Sequence, residues 1–424
     1  MTKQMSEKNN FLEFKDQIIS NELHTIDTIR FLAMCSVVWG HCNMGLETNT
    51  YSETYDIIAR SVILQIGKIG TILFFLISGY LMGPKIHQYT IRGFLKTRLS
   101  STVLPWFLSL SVFCLLTLIN EPHFAGALGN GDLKQASLMI SMIFKNSVFH
   151  FAYWFIIVFL ISSVLLVSLK KYVLKPWLGM LLAAITLFYC VNLHYAWIST
   201  YHTKAFLGYA FFMWLGVQLK ANHKRSIAFL ENTSWGLLIA AFILSFIFSC
   251  AEGIILSKGN CADPYASIRI SNIINSLISF ACLFKLGKIK MIGKLEPRKN
   301  AYRIYLLHSI LIYVVTILYY NYLPQAHINP SISRLFLVEI LVFALILSSS
   351  QLLASKMRMS HIKHYQEKLI YLMAIIYEKL NHQLLIIRNF SLSYKFHSLT
   401  NAIRLRKAIT RVLIPIVSLL YVGR

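Results

Sequence analysis

Arg30 and His41 lie eleven positions apart in the first apolar run of the chain, IDTIRFLAMCSVVWGHC. Eleven steps of about 100° return a helix to within roughly 20° of its starting direction and raise it about 16 Å. On a helix the two side chains therefore share one stripe, with the reach of an extended ligand arm. A charged or ionisable group inside a membrane segment is costly, so its default reading is functional. Histidine titrates near neutral pH and can pull a proton from a hydroxyl or act as a nucleophile. A guanidinium can grip a phosphate or a carbonyl in two places. The plain alternative is that Arg30 snorkels to the interface and His41 is an ordinary helix-end residue. Asp27, one turn before Arg30, can hold it in an i to i+3 ion pair or can be a simple interfacial acid.

Further candidates lie along the chain. Ser78 and Gly79 of FFLISGYLM offer a hydroxyl and a close backbone approach, which suits a tight contact with the first helix. Lys85, Arg92, Lys96 and Arg98 form a basic stretch leading into Pro105, where the third helix is expected to bend. As a group they can dock phosphates; singly each can be plain topology-determining charge. Tyr302, Tyr305 and His308 recur at spacing three and occupy one helical face, lining a pocket or packing at an interface. Tyr153 and Trp154 can stack on sugar or lipid, and Glu339 is a lone acid in the last long apolar run.

These residues must be positioned by membrane helices. Hydrophobic residues make up 56% of the 424 and charged residues 14%, outside the balance of water-soluble domains. Apolar runs near spanning length fall at about 26–43, 61–82, 101–119, 151–169, 177–192, 205–219, 235–252, 267–284, 301–320 and 334–355. The spacing predicts an all-α, polytopic integral membrane protein with about ten transmembrane helices. Long continuous runs exclude an outer-membrane barrel. The first run follows a polar segment without a small-residue cleavage site and reads as a retained helix. The chain thus divides into an N-terminal segment 1–25, a helical domain 26–355 and a basic tail 356–424.

With the N-terminus inside, the four inner loops carry sixteen Lys or Arg and the five outer loops four. Arg60, Lys68, Arg269, Arg303 and Arg334, at or just inside helix ends, stand outside that count and soften it. The bias predicts cytoplasmic termini. The tail holds twelve Lys or Arg against two acids, interleaved with apolar runs too short to span, and reads as amphipathic helices on the cytoplasmic leaflet. The net charge of +24 is spread over inner loops and tail without a nucleic-acid motif, so membrane lipids are the expected partner and nucleic acid is not. Seven cysteines show no metal spacing; only Cys250 and Cys261, near or in one outer loop, suit a disulfide.

IDTIRFLAMCSVVWGH resembles the opening of the membrane acyltransferase 3 family, typified by bacterial O-antigen acetylases. FFLISGYLM, FLKTRLSSTVLPWF, YWFI and NAYRIYLLHSIL are similar to later family landmarks in the expected order. The resemblance spans about residues 22–355. It implies an inner-membrane O-acyltransferase that takes an acetyl group from acetyl-CoA, a donor substrate and not a bound cofactor, to a hydroxyl of a lipopolysaccharide or exopolysaccharide or its lipid-linked glycan precursor. His41 and Arg30 would be catalytic, Arg98 would lead the donor-binding cations, and His308 would serve the site. The YWFI stretch departs from the family in lacking the acids that often follow, and no hydrolase-like domain is expected here. Rival readings are an exporter or flippase of lipid-linked saccharide, transfer to a lipid, peptidoglycan or small molecule, or use of another acyl-CoA donor such as succinyl-CoA.

Overall fold

Hydrocarbon offers no water to backbone N–H and C=O groups, so apolar runs of spanning length fold as helices. The computed structural model describes residues 2–43, 53–130, 132–149, 151–259, 261–322 and 331–356. Each of the ten apolar runs overlaps a helix, and no strand occurs among the described residues. The first half comprises α1 (Thr2–His41), α2 (Thr54–Ile66), α3 (Gly70–Met82), α4 (Ile91–Arg98), α5 (Leu104–Ile119), α6 (Pro122–Gly129), α7 (Leu133–Phe149) and α8 (Trp154–Ser168). The second half comprises α9 (Pro176–Tyr195), α10 (Ala210–Ala221), α11 (His223–Asn232), α12 (Trp235–Lys258), α13 (Ile270–Leu286), α14 (Lys290–Gly293), α15 (Pro297–Tyr322) and α16 (Ile332–Lys356). The tail beyond residue 356 lies outside the described residues.

Six helical segments among the described residues are long and apolar enough to cross a bilayer, and a seventh forms if the pair around residue 150, bent by 61°, is one span. The expected ten are not all of that kind. Three of the runs fall instead on α1, which carries Asp27 and Arg30, on the 12-residue α10 and on the 17-residue α13. These are interior helices whose neighbours are largely protein. The chain is an all-α, multi-pass membrane protein.

Two local departures from the expected pattern occur. The run 61–82 is broken between α2 and α3, where a Cβ on Gly67 would sit 2.5 Å from the Gly40 Cα. The stretch 120–150, expected as a loop, contains α6 and α7. Between α4 and α5 the backbone forms a π turn over Leu99–Val103, closed by the Leu104 N–H on the Leu99 carbonyl. Pro105, which has no N–H to continue an α ladder, follows at once. Cys250 and Cys261, the one pair suited to a disulfide by position, are both free thiols.

Helix α1 is the wall shared by two apolar clusters. Ile26, Ile29 and Ala33 pack with α3, α8, α9, α10 and α13. Met34, Val38 and Cys42 pack with α5, α8, α15 and α16. The close approach expected of Gly79 toward α1 is made to α10 instead. A Cβ there would meet the Met213 carbonyl at 1.8 Å, so any side chain would force α3 and α10 apart. Contact with α1 falls to the start of α3, where the Gly70 N–H donates to Ser36 Oγ at 3.0 Å.

Candidate active site

Helices α1 and α15 run parallel where they meet, because the two contacts between them, Asp27 with Arg298 and His41 with His308, advance along both chains in the same direction. At one end Asp27 accepts from both, through Oδ1 from Arg30 Nη1 at 2.5 Å and through Oδ2 from Arg298 Nη2 at 2.9 Å. At the other end the His41 and His308 rings lie 5.4 Å apart. The Arg30 side chain is 14% exposed and that of Arg298 53%, so Arg298 faces outward beside a largely enclosed Arg30.

Between these ends lies a cavity of about 410 Å³. Arg30 and His41 both line it, as the shared stripe requires, together with Arg98, Arg298, Ser78 and Trp154. Phe155, Phe159, Met34 and Phe74 supply apolar wall. Arg98 is held at the rim by the Phe94 and Phe159 rings, 5.3 and 5.7 Å from its guanidinium carbon. Arg30 and Arg298 share the Asp27 carboxylate and Arg98 lines the same cavity, so the three guanidiniums exceed their one carboxylate partner by two positive charges.

Tyr302 and Tyr305 line the same cavity with their rings, while their hydroxyls are committed elsewhere. Tyr302 donates to the Thr102 carbonyl at 2.5 Å and Tyr305 to the Ala152 carbonyl at 2.6 Å. They tie α15 to the π turn and to the start of α8. His308 is fully buried behind them, with Nδ1 2.6 Å from the Tyr305 carbonyl. That bond makes Nδ1 the protonated nitrogen, and Nε2 is then the ring's acceptor.

Other expected residues stand apart. Lys85, Arg92 and Lys96 are exposed and do not line the cavity; only Arg98 of that group does. Gly79 serves helix packing. Tyr153 is buried, with its hydroxyl 3.0 Å from Ser109 Oγ, so the stacking surface expected of the Tyr153–Trp154 pair belongs to Trp154 alone. Glu339 is buried on α16 and does not line the cavity.

Sequence reasoning missed Arg298 as a site residue, counting it only as inner-loop charge. Its signal was its place four residues before Tyr302, on the same helical face as the Tyr302, Tyr305 and His308 series. The pairing of His202 with Asp263, adjoining Trp154, was also missed, since loop residues 61 positions apart carry no periodicity.

The arrangement can hold a polyanionic, elongated ligand by one end and bring its other end to an imidazole. No curated protein and no solved structure matches the chain. Residues 23–353, which include every side chain of the cavity, match the family model of an acyltransferase domain, and the chain belongs to that family, the membrane acyltransferase 3 family.

Proposed function

We propose that this acyltransferase is an O-acetyltransferase of a bacterial inner membrane, moving an acetyl group from cytoplasmic acetyl-CoA to a hydroxyl of a surface polysaccharide or its lipid-linked precursor. The observation that carries the reading is a single cavity lined by Arg30, Arg98 and Arg298, which have one carboxylate partner among them, and by His41 about 16 Å along the helix from Arg30. Acetyl-CoA is matched to that layout, with phosphates at one end of a long flexible arm and a thioester at the other. The loop charge bias supports cytoplasmic termini and a cytoplasmic arginine end. On that orientation His41 lies past the midplane of a hydrocarbon core about 30 Å thick.

Two routes are chemically balanced. In the first, His41 takes the proton of the acceptor hydroxyl as its oxygen attacks the thioester carbonyl; the C–S bond breaks and the thiolate receives the proton. In the second, an imidazole nitrogen of His41 displaces the thiolate, and the acceptor oxygen then displaces the imidazole. Either way one thioester is broken, one oxygen ester is formed and coenzyme A leaves as the thiol. Arg30, Arg98 and Arg298 hold the donor's phosphates, and the aromatic wall excludes water from the thioester.

Vesicles of both orientations test the reading. Labelled acetyl-CoA supplied to the cytoplasmic face should label a lipid-linked glycan supplied to the opposite face. Mass spectrometry of surface polysaccharide from cells with and without the gene supplies the second measurement, and an unchanged acetyl pattern would overturn the glycan acceptor.

A further inference from the structure

Trp154 forms part of the cavity wall at the start of α8, and its outer side is covered by a pair of loop residues that the chemistry above does not use. His202, in the turn before α10, places its ring 4.9 Å from the Trp154 ring, nearly edge-on at 79°. Asp263, in the connection between α12 and α13, accepts through Oδ2 from the His202 backbone N–H at 2.9 Å and lies in contact with His202 Nδ1. Both connections fall on the outer side by the loop charge bias.

The pair has the geometry of an oriented imidazole. A carboxylate on Nδ1 fixes the ring and its tautomer, leaving Nε2 on the opposite edge. Nε2 makes no hydrogen bond among the described residues. The His202 and Asp263 side chains are 24% and 15% exposed, so the pair stands at a surface recess rather than in the core. A loop clamp alone needs only the backbone bond from His202 to Asp263. Holding the ring edge-on against a cavity-wall indole adds something a clamp does not require: a hydrogen-bonding nitrogen beside an aromatic face. That combination suits a hydroxylated ring, whose C–H face lies on the indole while a hydroxyl bonds the imidazole.

We infer that His202, oriented by Asp263, and Trp154 form the acceptor subsite, which binds a sugar ring and presents one of its hydroxyls toward His41. This rests on the glycan acceptor proposed above. His202 and Trp154 touch the acceptor; Asp263 is a positioning residue.

The test uses the full-length protein in proteoliposomes, with labelled acetyl-CoA as donor and a series of alkyl glycosides as acceptors. His202→Gln and Asp263→Asn should raise the acceptor KM about tenfold, the effect of one lost well-placed hydrogen bond to substrate. The donor KM and the folded yield should stay within about twofold. Asp263→Glu, which restores a carboxylate, should recover part of the acceptor KM. An unchanged acceptor KM with lower folded yield would make the pair a loop clamp and overturn the subsite. If the wild-type protein releases coenzyme A yet labels no glycoside, the glycan reading falls, and the subsite with it. If it labels glycosides and the variants keep their acceptor KM, only the subsite falls.

Discussion

Two arginines in this protein are enclosed by helices, and they are held in opposite ways. Arg269, at the start of α13, is fully buried. Its Nε donates to the Ala266 carbonyl at 3.2 Å, Nη1 to the Ser249 carbonyl at 2.5 Å and Nη2 to Gln65 Oε1 at 2.5 Å. Gln65 passes the chain on to Asn272 at 2.8 Å, which closes it on the Ser267 and Lys68 carbonyls. The result is a clasp joining α2, α12 and α13 in which each of the three guanidinium nitrogens is bonded. Arg30 has one hydrogen-bond partner among the described residues, Asp27, which it shares with Arg298, and it looks into a cavity. A charge in an apolar segment is therefore not by itself a site. Whether its donors are exhausted by the fold or left facing open space decides its use.

The sharpest way to break this contrast is at the far end of the cavity. His41→Ala should lower acyl transfer at least about a hundredfold, the scale of losing a general base or nucleophile, with membrane insertion unchanged. Near-normal transfer at normal protein level would remove His41 from the chemistry. The next test pairs the arginines. Arg30→Lys should cost about ten- to a hundredfold in transfer, concentrated in donor use, because an ammonium cannot span both a carboxylate and a ligand phosphate as a planar fork does. Arg269→Lys should leave the rate per folded molecule nearly unchanged while destabilising the fold by about 1–3 kcal/mol, since it strands buried acceptors. Reduced turnover without reduced stability in Arg269→Lys, measured by thermal unfolding in detergent, would erase the distinction.

The smallest effect is in acid. Burial raises the Asp263 carboxyl, but the neighbouring His202, with help from Lys68, brings it net down from 3.8 to about 2. A carboxylate whose folded pKa is depressed contributes stability that is present above the unfolded value and lost as pH falls through the folded one. Hydrogen exchange in the connections 196–209 and 259–269 should thus rise between pH 3.8 and about 2 in the native protein. Asp263→Asn should flatten that rise, and an identical profile in both would show that the tie carries no stability.

What could be read along the sequence was what one helix contains. The angular match of Arg30 and His41, the i to i+3 pair of Asp27 with Arg30, and the common face of Tyr302, Tyr305 and His308 all follow from helical period, and the structure displays each of them. What the sequence hid was pairing between elements. Nothing local says that Arg298 shares Asp27, that Gly79 meets Met213 and not α1, or that the Tyr302 and Tyr305 hydroxyls are spent on carbonyls. Ten apolar runs were legible, but not that α1, α10 and α13 would sit as interior helices, because apolarity records burial without saying whether lipid or protein does the burying.

The shared carboxylate of Asp27 also bears on how the protein is made. Its two arginine partners are 3 and 271 positions away. The first arrives within the same helical turn, so α1 enters the bilayer with its charge already matched. The second emerges only after the ribosome has worked for tens of seconds more, at synthesis rates of about 5–20 residues per second. Until α15 inserts, the cavity lacks one wall, one guanidinium and the His308 ring beside His41. A truncated or stalled chain therefore carries His41 without the enclosure the finished fold gives it, and the cavity is complete only with the ninth of the ten apolar runs.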